Sequence, residues 1–143
     1  MSQPNRVMIA LTSILAGAAT GGAVAATGVW AAWKNFQFLN FLGSDPQNNT
    51  VFLGWGLGLV VAAVVSWRTS GHIVETWRRA AMGFTAGMGA VGCGAAAQGV
   101  ATFSMMSMNS TSEYWSGAFV WLLAGIAAGL SVMSRKYRSA PAE

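Results

Sequence analysis

Charge is what this sequence has least of. Of its 143 residues, 8% are charged, eight of them Lys or Arg and four Asp or Glu. A soluble globular domain carries about 25%, so the shortfall excludes an ordinary water-facing surface and selects the membrane class. Cysteine is almost absent too. The single Cys93 rules out an internal disulfide and a cysteine-rich metal site. One histidine, His72, and one cysteine on different segments cannot build a usual zinc or haem site. No Asp, Glu, Lys, Arg or His falls inside any of the four long apolar runs described below. Proton relays and ion-coupled carriers normally need one, which argues against a proton-driven antiporter and most intramembrane enzymes. Gly54-Trp55-Gly56-Leu57-Gly58 resembles part of a glycine fingerprint but lacks the strand-to-helix setting a dinucleotide needs. No catalytic residue, metal ligand or cofactor is expected. The sequence pI near 10.0 could suggest nucleic acid, but the basic residues sit beside apolar runs, so no nucleic-acid partner is expected.

What the chain does have is hydrophobicity, at 54% of residues with a mean hydropathy of +0.48. It also has 18 glycines. Four runs, 7–32, 51–67, 80–103 and 117–133, are uncharged, and about 20 apolar residues suffice to cross a bilayer. The expected fold is therefore an all-α membrane protein: one four-transmembrane-helix bundle over residues 1–143. The third run reads AAMGFTAGMGAVGCGAAAQGVATF. At helical spacing Gly83, Gly87, Ala90, Gly94, Ala97 and Ala101 share one face. Small residues on one face let another backbone approach, which is how helices associate in lipid, so this run is expected to be the packing spine. Gly54, Gly58 and Ala62 make a second stripe. Gly17 and Gly21 in the first run and Gly125 and Gly129 in the fourth are further packing candidates.

Ala23-Val24-Ala25 looks like a signal-peptide cleavage site, but the apolar run continues to Trp33, beyond an h-region of roughly 7–15 residues. The segment is expected to remain as a span. Trp30, Trp33, Phe36, Phe38 and Phe41 crowd around Lys34, and aromatics gather where headgroups begin. Residues 33–42 therefore read as an interfacial segment and 43–50 as a polar turn, since Asp45 before Pro46 is poor helix context. The stretch RTSGHIVETWRR, 68–79, and the nearly uncharged 104–116 are the remaining connections. Four spans put both ends on one side. Arg6, Arg68, Arg78, Arg79, Arg135, Lys136 and Arg138 then share that side, and only Lys34 takes the other. The positive-inside rule predicts both termini in the cytoplasm, and so lopsided a distribution argues against dual topology. The tripeptides Asn48-Asn49-Thr50 and Asn109-Ser110-Thr111 are glycosylation sequons on the outer side of that arrangement.

Few residues stand out as ligand contacts. His72, with Trp77 and Arg78 nearby, could meet a ligand or sense pH; an ordinary connecting histidine at headgroup level is the plainer account. Gln98 is the strongest polar residue in a span and reads as a hydrogen bond to a neighbouring helix, or as a waypoint for a polar solute. Thr12, Ser13, Thr20, Thr27, Thr85 and Thr102 can bond their own backbone. Met105, Met106 and Met108 could offer soft metal ligands, but a loop skimming the bilayer explains them more simply. Gly21, Ala25, Ala26 and Gly28 echo Gly92, Ala96, Ala97 and Gly99. Parallel repeats would do this, as would shared Gly/Ala composition alone.

Asn5-Arg6 precedes the first run, Thr50-x-Phe52 opens the second, and Arg68 closes it. Gly71-His72 and Trp77-Arg78 follow, and Ala118-Phe119-Val120 opens the fourth. In these features the chain resembles the AWPM-19-like family of small four-span plant plasma-membrane proteins, while the 104–116 connection departs from that pattern. The resemblance implies a stress- or abscisic-acid-linked plasma-membrane protein. Two functions are carried forward. The first is a non-enzymatic accessory or self-associating subunit acting by helix packing, with lipid and other transmembrane chains as partners. The alternative is a facilitator for a small, weakly polar solute of the abscisic acid type.

Overall fold

A computed structural model describes residues 3–34, 45–71, 75–106 and 112–139. Among them there are four α-helices and no strand: α1 Gln3–Trp33, α2 Pro46–Thr69, α3 Thr76–Met106 and α4 Ser112–Ser139. Each is long and apolar enough to cross a membrane, and the chain is an integral membrane protein of four-helix architecture. At about 1.5 Å per residue, even α2, the shortest at 24 residues, exceeds a hydrocarbon core of about 30 Å. The helices enclose the uncharged runs and continue several residues beyond them into polar sequence.

The helix ends explain those extensions. Asp45 is the N-cap of α2: its backbone is extended, its carboxylate accepts from the Asn48 backbone N–H at 3.2 Å, and Pro46 takes the first helical position. Residues 46–50 are thus the first turn of α2, not the polar turn expected from Asp45-Pro46. An acceptor followed by a proline with no N–H to satisfy is a helix start. The sequon Asn48-Asn49-Thr50 is correspondingly helical. The Asn48 amide donates to Asp45 at 2.7 Å, and the Thr50 hydroxyl donates to the Pro46 carbonyl at 2.8 Å. At the far end of α2 the Ser70 N–H closes on the Ser66 carbonyl at 3.0 Å, and α3 opens with Arg78 and Arg79 N–H groups on the Glu75 carbonyl. Ser104, Met105 and Met106 belong to α3, so they form its last turn and not a loop. Of the expected interfacial segment, Trp33 ends α1 and residues 35–44 lie outside the described residues, as do Met108 and the second sequon.

The chain runs up, down, up, down. Gly17 of α1 lies beside Ala62 and Ser66 of α2 and Ala86 of α3; Gly28 lies beside Gly54; Gly22 lies between Cys93 of α3 and Leu123 of α4; Trp30 covers Gly117. The start of α1, the end of α2, the start of α3 and the end of α4 therefore gather at one end of the bundle. Both α1 and α3 pack against each of the other three helices, and α1 is the most enclosed. Its apolar window is 44% buried, against 17% for α4. The expected spine, α3, flanks it. Its small face is nonetheless turned inward: Gly83, Gly87, Ala90, Gly94, Ala97 and Ala101 are all buried. Gly or Ala lie all round the middle turns of α1, AGAATGGAVAA over 16–26, so three neighbours can approach it at once.

Candidate functional site

In lipid there is no water to drive apolar surfaces together, so helices associate by close packing and hydrogen bonds. The α1–α2 seam is the closest packing in the bundle. A Cβ built on Gly28 would lie 2.6 Å from the Cα of Gly54, and the reverse is also true. One on Gly58 would lie 2.5 Å from the Gly21 carbonyl oxygen, and one on Gly17 2.6 Å from the Ala62 carbonyl oxygen. The two backbones touch there, with no side chain between. Gly28 belongs to this seam although it was not among the sequence candidates; its spacing from Gly21 is seven residues, two helical turns. Beside Gly28 and Gly54 the helices part to leave an apolar crevice of about 200 Å³, walled by Val24, Thr27, Ala31, Leu53 and Leu57.

The seam to α3 is looser at one end and tighter at the other. Gly83 has ordinary room beside Ala63, and Gly87 meets the Leu59 side chain. At Gly94 the Trp55 indole lies across the helix, its Nε1 2.7 Å from where a Cβ would stand. Trp55, Trp33, Cys93 and Phe119 pack on the main apolar cluster of Ala26, Val29, Ala32, Val51, Ala97, Ala101 and Leu123.

Gly125 and Gly129 are placed differently. Among the described residues of α4 the buried ones are Ser116, Leu123, Ala127 and Ser134, which share one face. Gly125 and Gly129 lie on the opposite face, with nothing within 4 Å of a Cβ built on either. Among the described residues nothing packs against them. Trp121, 80% exposed, and Val132 flank them on the same face. Gly92 and Gly99 are equally open on the outer side of α3.

The polar candidates separate into two places. Trp77 and Arg78 are on the first turn of α3, and Gln98 is twenty residues further on, about 30 Å at 1.5 Å per residue, so they cannot serve one ligand. His72 lies outside the described residues. At the hairpin end, Arg79 donates from Nη2 to the Trp67 carbonyl at 2.8 Å and stacks over the Trp67 ring at 4.4 Å. Arg78 pairs with Glu75 and stacks on Trp77 at 5.3 Å. Among the described residues the expected interhelical bond of Gln98 is not made: its Oε1 is buried without a partner, as are Trp55 Nε1 and, at the end of α1, Trp33 Nε1. Whether such buried donors and acceptors are paired is what a sequence pattern cannot reveal, because pairing depends on side-chain reach. Thr12, Thr20, Thr27, Thr85 and Thr102 each donate to the carbonyl four residues back at 2.7–2.9 Å. Ser13, by contrast, is fully buried with its hydroxyl unpartnered, as is Ser66.

Among the described residues no three His, Cys, Asp or Glu side chains come together as a metal site. No protein-family model, curated protein or solved structure matches the chain.

Proposed function

We propose that this is a non-enzymatic membrane protein that works by lateral helix packing, as a self-associating or accessory subunit of a membrane assembly. The observation that carries this reading is the Gly125-x-x-x-Gly129 pair on the outward face of α4. Inside the bundle the same kind of residue brings backbones into contact at Gly28 and Gly54. On α4 the equivalent surface is left open to the bilayer, on the least buried helix of the four. A GxxxG face in an apolar helix is a dimerisation surface, and a helix of a partner chain fits it. The excess of arginine at the end holding both termini supports a cytoplasmic orientation for that end, and the AWPM-19-like resemblance favours the plasma membrane.

The test is the mass of the mildly solubilised protein by light scattering, with any co-purifying chains identified. A dimer or hetero-complex that Gly125→Leu/Gly129→Leu reduces to monomer is the expected result. A strict monomer with no companion chain would overturn the reading. The facilitator reading draws less support. The central seams close backbone on backbone, and the Thr12, Thr20, Thr27, Thr85 and Thr102 hydroxyls are committed to their own helices. Among the described residues, buried polar groups left unpartnered, Ser13 and Ser66 toward one end and Trp55, Gln98 and Trp33 toward the other, lie on either side of the tight Gly21–Gly58 contact. Uptake of abscisic acid by proteoliposomes above that of empty vesicles would revive it.

A further inference from the structure

The α2–α3 hairpin end holds charge and aromatic surface that helix packing does not use. Trp67 is 37% exposed and Trp77 67% exposed. Arg68 and Arg78 are exposed beside them, and Arg68 has no hydrogen-bond or ion-pair partner among the described residues. Three arginines stand here against one acid, Glu75. Arg79 does the structural work of the hairpin. By bonding the Trp67 carbonyl and stacking on its ring it ties the end of α2, which carries Arg68, to the start of α3, which carries Trp77 and Arg78. Exposed indoles belong at headgroup depth, and a guanidinium offers forked donors that match phosphate oxygens.

We propose that this hairpin end binds the headgroup phosphate of an anionic phospholipid, with Arg68 and Arg78 as the phosphate donors and Trp67 and Trp77 seated among the adjoining headgroups. Charge selects the occupant. A zwitterionic lipid brings its own cation to the site and gains little from the surplus positive charge, whereas an anionic lipid neutralises it. A soluble acidic protein would meet the same arginines but would leave two indoles facing water. The arginines are exposed and, apart from the local Arg78–Glu75 pair, tie no helices together, so replacing them leaves the fold intact.

Native mass spectrometry of the full chain in mild detergent tests this, with phosphatidylglycerol and phosphatidylcholine of identical acyl chains as probes and circular dichroism to check helicity. The intact protein should retain phosphatidylglycerol at several-fold lower lipid concentration than phosphatidylcholine. Arg68→Gln/Arg78→Gln should abolish the difference, Arg68→Lys/Arg78→Lys should keep most of it, and Lys34→Gln at the opposite end should change nothing. Equal retention of the two lipids would overturn the proposal, and so would a preference that survives Arg68→Gln/Arg78→Gln or is lost with Lys34→Gln. An Arg68-dependent adduct of inorganic phosphate added without lipid would also overturn it, by making a free anion the ligand.

Discussion

Gly28 and Gly54 meet so closely that a methyl group on either would lie 2.6 Å from the Cα of the other. No side-chain rotation relieves a contact between two backbones, so the helices must separate or tilt. Gly28→Ala or Gly54→Ala should destabilise the bundle by about 1–3 kcal/mol, the usual range for overpacking a tight interior. Gly92→Ala, on an open face, should be neutral or stabilising by up to about 1 kcal/mol, because alanine is the better helix former. Unfolding in mixed detergent micelles followed by circular dichroism compares the two. Equal effects at Gly54 and Gly92 would contradict the seam.

The buried Gln98 carbonyl oxygen has no partner. An unsatisfied buried acceptor costs on the order of 1–3 kcal/mol, whereas an apolar side chain of similar shape avoids that cost. Gln98→Met should therefore be neutral or stabilising by up to about 1 kcal/mol in the same unfolding measurement. A clear loss of stability would mean that Gln98 bonds a neighbouring helix after all.

At the start of α2 the prediction is local. Asp45→Ala removes the N-cap acceptor for the Asn48 N–H, at a cost of about 1 kcal/mol. Amide hydrogen exchange should accelerate over the first turn, Pro46 to Thr50, and leave the middle of α2 unchanged. Unaltered exchange in that turn would mean the cap contributes nothing.

Arg79→Lys keeps the charge but loses the planar group stacked on Trp67. The stack and its hydrogen bond should together be worth on the order of 1 kcal/mol. A lower melting temperature for Arg79→Lys than for Arg68→Lys would distinguish the hairpin clasp from its exposed neighbour; identical values would deny the clasp.

Much of this architecture is legible from residue spacing. The inward faces of α2 and α3 follow from small residues three and four apart, Gly54–Gly58–Ala62 and Gly83–Gly87–Ala90–Gly94, because only such residues permit backbone contact. What spacing cannot rank is centrality. In lipid the outside of a helix is as apolar as its inside, so Gly125 and Gly129, spaced like the inward pairs, do not betray that they face outward. Gly and Ala surround α1 over residues 16–26, but the middle of α3, AGMGAVGCGAAA over 86–97, is nearly as small and also meets three neighbours, so composition does not separate the more enclosed helix from the one beside it. Asp45-Pro46 misled in the opposite sense, since the pair that ends one helix also begins the next. The pairing state of Gln98, Trp55 and Ser13 depends on side-chain reach across an interface, which no local pattern encodes.

The central claim is that the outward Gly125 and Gly129 face of α4 recruits another transmembrane helix. Its most direct test is resonance energy transfer between donor- and acceptor-labelled copies in liposomes, measured as the protein is diluted in lipid. Self-association predicts transfer that persists on dilution beyond random proximity and falls to the random level for Gly125→Leu/Gly129→Leu, while Gly56→Leu on an open face of α2 leaves it unchanged. Transfer no greater than random for the unaltered chain, with no other membrane chain captured on mild extraction, would contradict the account.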